Sequence, residues 1–131
     1  MKIRPYKKGD ELQITPIDLM ADWDSPEYEN SFDRGCSLTI VDDKGKIQAI
    51  VNYFLLDESD NVLYGWFLRD KDANPIFITK VKKIVKNFLQ NDFIICTISK
   101  EGAMQYKMHK YLGFEEKRKI GGLVLWVVSI R

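Results

Sequence analysis

A change of period constrains this chain more than any other feature. Apolar residues recur at Phe77, Ile78, Val81, Ile84, Val85, Phe88 and Leu89, the three-to-four spacing that turns one stripe of a helix towards a core. Asn74-Pro75 stands at the start of that stretch. Asn supplies a capping side chain, and a proline ring is tolerated at the first helical position. On either side the pattern is that of strands, over residues 62–68 before it and 93–98 after it. A helix running from there to about Asn91 between two strand-type runs needs a sheet to receive its stripe, so all-α and all-β folds are excluded.

The remaining segments fit the same class. Residues 3–6 form a short strand that Lys8-Gly9-Asp10 breaks, and Asp10 is expected to cap a helical turn through Glu11, Leu12 and Gln13. Two further helix starts are expected. One is at Thr15-Pro16, with Ile17, Leu19, Met20 and Trp23; the other is at Ser25-Pro26, with Tyr28 and Phe32 and a stop at Gly35. Residues 37–41, 47–56 and 62–68 alternate as strands joined by short turns, which predicts an antiparallel meander with a bulge or close approach at Gly65. Residues 93–98 are continuously apolar, as in a strand buried on both faces. A second amphipathic helix covers residues 101–112, with Gly113 as its left-handed stop. Residues 114–120 and 123–130 then form a hairpin about Gly121-Gly122.

Composition narrows the function classes. The 131 residues suit one domain spanning 1–131, and 45% hydrophobic with 30% charged residues is a folding, not a disordered, balance. One histidine and two cysteines leave a zinc site or a disulfide framework short of ligands; Cys36 and Cys96 are expected to be small buried hydrophobes. No apolar run approaches the ~20 residues of a membrane span, and Met1-Lys2-Ile3-Arg4-Pro5 lacks the apolar stretch of a secretory leader, so the cytoplasm is the expected compartment. Net charge is +1, yet residues 1–60 carry −6 and residues 61–131 carry +7. That asymmetry fits solvated helix faces, or a basic face for a phosphorylated ligand or acidic partner.

The element order, the C-terminal string MHKYLGFEE with Gly113-Phe114, and the opening IRPYKKGDE together resemble the GNAT superfamily of N-acetyltransferases. The resemblance implies an α/β fold with a mixed, mostly antiparallel sheet of about seven strands and about four flanking helices. It also implies acyl transfer from acetyl-CoA to an amine. That chemistry needs a seat for the CoA pyrophosphate, a way to polarise the thioester, and a proton donor for the leaving thiolate.

In the family the pyrophosphate sits on an Arg/Gln-x-x-Gly-x-Gly/Ala loop, whose glycines let backbone amides approach the phosphates at a helix N-terminus. The corresponding string here is LRDKDANPIF. Arg69 stands for the basic residue, but Asp72 and Asn74 occupy the glycine positions, Asp70 adds a negative charge and Pro75 removes an amide. If acyl-CoA binds, Arg69, Asp72, Asn74 and Trp66 are the residues placed to meet it; otherwise the segment is a side-chain-capped helix start. The family's leaving-group tyrosine corresponds to His109, with Tyr106 one turn away; the alternatives are a helix-edge histidine and a packing tyrosine. Gly102 replaces a frequent asparagine. Asp24, Glu27, Glu29 and Tyr64 are acceptor-side candidates.

A narrower resemblance joins the strings YGWFLRDKDANPIFITKVKKIVKNFL and CTISKEGAMQYKMHKYLGF to the GNAT-like internal virion proteins of T7-like short-tailed bacteriophages. It implies a protein partner in the virion or host, no cofactor, and location in the virion or host cytoplasm. Nucleic acid is a lesser expectation, through Lys80–Lys86 and Lys117–Lys119. Few aromatic residues interleave those lysines, and the helix needs its Phe face for the core. Acetyl-CoA is the cofactor of the competing enzyme reading.

Overall fold

The structure, a computed structural model, describes residues 1–16 and 32–130. Strand β1 (Lys2–Pro5) is followed by a 3₁₀ turn (Asp10–Gln13), β2 (Cys36–Val41), β3 (Ile47–Asp57) and β4 (Val62–Arg69). Helix α1 (Phe77–Gln90), β5 (Ile94–Lys100), helix α2 (Ala103–Tyr111), β6 (Glu115–Ile120) and β7 (Leu123–Val128) complete the order. The seven strands form one sheet in the order β1-β2-β3-β4-β5-β7-β6. β1–β2, β2–β3, β5–β7 and β6–β7 pair antiparallel, whereas β4 and β5 run parallel with Val62–Tyr64 in register with Ile94–Cys96. The helix starts expected at Ser25-Pro26 and beyond Pro16 lie outside the described residues.

The chain divides into two compact units, Met1–Phe54 with Trp66–Lys80, and Leu55–Gly65 with Val81–Arg131. In the first, Ile14, Phe32, Val41, Ile47, Ile50 and Leu68 form a buried cluster, with Tyr6 and Trp66 packed against it. Gly35 sits at φ +64, and a Cβ there would lie 2.2 Å from the Tyr53 carbonyl oxygen, so the strand approach beside β3 admits glycine alone. Asp10 does not cap the 3₁₀ turn, whose N-cap is Gly9. Its carboxylate is buried instead, taking hydrogen bonds from the Arg4 guanidinium, the Lys7 amide and the Thr39 hydroxyl. Burial works to raise its pKa, but these donors outweigh it and hold the carboxyl below the ordinary range.

In the second unit Ile95, Val124, Trp126 and Val128 are buried on one face of β5 and β7. Helix α2 ends in a Schellman motif, as its sequence predicts. Gly113 at φ +94 donates to Lys110, and the Phe114 amide reaches back to the His109 carbonyl. The continuous apolar run of β5 is not buried on both faces: Ile95 and Thr97 are covered, whereas Ile98 is 45% exposed. A one-sided strand normally alternates, so the run misleads here because apolar side chains also occupy the open face. Cys36 is likewise exposed, at the first position of β2, and Cys96 is only partly covered.

Candidate functional site

The connection from β4 into α1 is where an anion would meet a helix N-terminus, and its amides can be followed one by one. Asp70 donates to the Gln48 carbonyl at 2.9 Å and Lys71 to the Thr15 carbonyl at 2.7 Å. Asp72 donates to the Asp70 carboxylate at 3.1 Å, Ala73 to the Asp70 carbonyl at 3.1 Å, and Asn74 to the Gln48 side-chain oxygen at 2.7 Å. Pro75 has no N–H. Ile76 donates to the Asn74 side-chain oxygen at 3.1 Å, and Phe77, Ile78 and Thr79 make i→i−3 bonds to Asn74, Pro75 and Ile76. Every N–H from Asp70 to Thr79 is therefore already donated within the chain.

Two side chains the sequence reading did not assign to this task do most of the closing. Gln48, 2% exposed on β3, accepts Asp70 with its backbone and Asn74 with its side chain, so it ties both ends of the connection. The buried Asp70 carboxylate spans the Thr15 and Asp72 amides. Breaking one such contact leaves a buried donor unpaired, at about 1–3 kcal/mol. The available signal was Gln48 itself, a lone amide in the run Ile47–Val51 that needs a partner when buried.

The other predicted binding residues share this unit. The Arg69 guanidinium stands 5.3 Å from the centre of the Phe77 ring, with its Nε buried and without a hydrogen-bond partner. Asp72 and Asn74 are exposed, and Asn74 is the side-chain cap that its position predicts. Trp66 donates its indole N–H to Asn52 Oδ1 at 3.0 Å and packs its ring 4.9 Å from Phe32. Asn52, fully buried, in turn donates to the Arg34 carbonyl and the Ser37 hydroxyl. This network fixes Trp66 as part of the packing of the first unit.

His109 and Tyr106 belong to the second unit. His109 is 6% exposed, not on a helix edge. Its ring stacks on Trp126 at 4.8 Å with an interplanar angle of 8°, and meets Phe114 edge-on at 5.8 Å. Nδ1 lies 2.7 Å from the Gln105 carbonyl, an acceptor only, so Nδ1 carries the proton. Burial lowers the imidazole pKa from its ordinary value against the opposing effect of that bond, and the ring is held neutral. Tyr106 meets Trp126 edge-on at 5.1 Å with the Lys119 ammonium 5.4 Å from its ring centre, and its hydroxyl is buried without a hydrogen bond of good geometry. Trp126 itself donates to the Ser99 hydroxyl at 2.9 Å. The acceptor-side candidates Asp24, Glu27 and Glu29 lie outside the described residues, and Tyr64 is partly buried on β4.

Neither a protein-family model nor a curated protein matches the sequence. Solved structures do match in fold. A structure described as a phosphinothricin N-acetyltransferase superposes with a TM-score of 0.73 at 11% identity, over 99% of this chain and 98% of that one. Spermidine N-acetyltransferase from Vibrio cholerae, in a dodecameric structure, gives 0.72 at 11% identity, over 98% and 92%. Ribosomal-protein-S5-alanine acetyltransferase from Vibrio fischeri gives 0.66 at 16% identity, over 97% and 91%. With the seven-stranded mixed sheet and the helices after β4 and β5, these matches establish that the chain has the α/β fold of the GNAT N-acetyltransferases.

Proposed function

We propose that this chain uses an acetyltransferase fold as a scaffold and acts through its surface on a protein partner, without acetyl-CoA as a cofactor. The observation that carries the reading is the closure of the β4–α1 connection. A diphosphate needs donors, and the backbone donors from Asp70 to Thr79 already serve Gln48, Asp70, Thr15 and Asn74 or the first turn of α1. Asp72 and Asn74 also place side chains where the family has glycine, with Asp72 adding like charge beside any phosphate. These residues do not fit the group. The resemblance to internal virion proteins of short-tailed phages supplies the setting, a virion or host protein as partner. Calorimetry with acetyl-CoA tests it: no binding at millimolar ligand is expected, and a micromolar dissociation constant would overturn it.

One observation favours a second reading, an N-acetyltransferase acting on an amine. In the second unit the Tyr106 hydroxyl is buried without a hydrogen bond of good geometry. A buried orphan of this kind asks for an explanation, and a ligand is one. The hydroxyl would serve as proton donor to a leaving thiolate. Thiol release from acetyl-CoA, dependent on an added amine and abolished in Tyr106→Phe, would establish this reading in place of the first.

A further inference from the structure

Helices α1 and α2 together hold six lysines and no Asp, Glu or Arg. Surface helices ordinarily interleave the two signs, because opposite charges three or four residues apart stabilise a helix and like charges destabilise it. Here Lys82 with Lys86, Lys83 with Lys86, and Lys107 with Lys110 are like-charge pairs at those spacings. Cations gain from a helix dipole in the last turn, and α1 has no basic residue there. Among the described residues, no carboxylate pairs with any of these lysines. The lysines of α1 work against their own helix.

The two helices bring their charge onto one surface of the second unit. The Lys82 ammonium stands 4.4 Å from the centre of the Tyr111 ring, which sets the outer side of α1 beside that of α2. Lys86 lies one turn further along α1 on the same side, and Lys107 one turn before Tyr111 on α2. Lys83, Lys86, Lys107 and Lys110 are exposed. Met104, Lys107 and Tyr111 follow one another at i, i+3 and i+7 along a single stripe. Met104 is 57% and Tyr111 44% exposed, so apolar contact is offered between the positive charges.

We infer that this surface docks an acidic protein segment that carries apolar side chains among its carboxylates. Three features select that partner over a nucleic acid. Arginine, the residue suited to bidentate contact with phosphate, is absent from both helices. The Tyr111 ring has the Lys82 ammonium over one face, so that face is closed to a stacking base. Exposed Met and Tyr are side chains favoured in protein interfaces, and they give a peptide a hold beyond charge. The lysines supply attraction that steers the segment in and weakens with salt. Such a partner is the one the scaffold function calls for, and it rests on that reading. The two are tested apart: calorimetry with acetyl-CoA reads the β4–α1 connection, whereas a peptide titration reads the lysines.

Fluorescence anisotropy with three labelled probes provides the test: a synthetic peptide of Glu interspersed with Leu and Phe, polyglutamate of the same length, and a DNA duplex. The Glu-Leu-Phe peptide is expected to bind more tightly than polyglutamate, and both more tightly than the duplex. One variant carries Lys83→Gln, Lys86→Gln, Lys107→Gln and Lys110→Gln, and should lose about tenfold or more in affinity for the peptide. A second, Tyr111→Ala, should bring the peptide down towards polyglutamate. Both should keep the circular dichroism of the unaltered chain, since the altered side chains reach solvent. Lys44→Gln with Lys46→Gln, exposed lysines of the first unit, should leave binding unchanged. No binding of the peptide at high micromolar protein, tighter binding of the duplex, equal binding of peptide and polyglutamate, or full affinity in the four-lysine variant would each overturn the inference.

Discussion

The two α-helices of the described residues begin in opposite ways. Helix α1 is entered through Asp72-Ala73-Asn74-Pro75, and each N–H around that entrance is accepted by a side chain or carbonyl of the chain itself. Helix α2 is entered through Glu101-Gly102, and its N-cap Gly102 offers no side-chain cap. A helix N-terminus carries unsatisfied donors and a favourable field for negative charge unless something else takes both. At α1 the acceptors come from far away in sequence, Gln48 on β3 and Thr15 after the 3₁₀ turn, together with the local Asp70 and Asn74. The difference teaches that closing an entrance is an active arrangement, built from buried polar groups that a chain does not carry without a reason.

That contrast can be broken by substitution. Asp70→Ala would have the largest effect, because it strands the Thr15 and Asp72 amides together. A loss of about 3 kcal/mol in urea unfolding is expected; a loss below about 1 kcal/mol would mean that water replaces the carboxylate. Gln48→Leu keeps the volume and removes the acceptor of Asn74, with an expected loss of about 2 kcal/mol in the same measurement. Asn74→Ala removes only the cap on Ile76 and should cost about 1 kcal/mol.

At the other entrance the expected change has the opposite sign. Gly102 has extended backbone, and a Cβ there would meet only the mobile end of Gln105, at 2.6 Å. Gly102→Ser therefore adds a cap and should raise stability by about 0.3 kcal/mol, visible as a small upward shift in Tm. A loss instead would show that Gln105 cannot move aside.

The response of stability to pH has a sign fixed by burial of one imidazole. His109 is the single histidine of the sequence, and its folded pKa is depressed by burial. The unfolded chain then binds the proton more readily, so stability is greatest above the ordinary histidine value and declines as pH falls from about 6.5 towards the depressed folded pKa. His109→Gln should flatten unfolding free energy across that window. The depressed carboxyl of Asp10 acts lower, its stabilisation being lost as pH falls below the ordinary aspartate range. An unchanged slope in His109→Gln would place the pH response elsewhere.

What could be read in advance follows from how local each cause is. The Asn74 cap and the Gly113-Phe114 stop depend on neighbours within five residues, and both are present as their sequences suggest. The strand boundaries also fall within two residues of those their patterns suggest. Gln48 and Asp70 were not assigned as closing residues because their partners lie 26 and 55 positions away, a distance at which one sequence gives no pairing. Asp10 looked like a cap because it precedes a helical turn; only the fold brings Arg4 and Thr39 to its carboxylate. His109 reads as exposed between lysines, and it is the sheet strand carrying Trp126 that turns it inward.

The backbone donors leading into α1 are already spoken for. Amide chemical shifts of ¹⁵N-labelled protein, followed while acetyl-CoA is added, test it most directly. The amides from Asp70 to Thr79 should stay in place throughout the titration. Saturable shifts clustered on those residues would contradict the account.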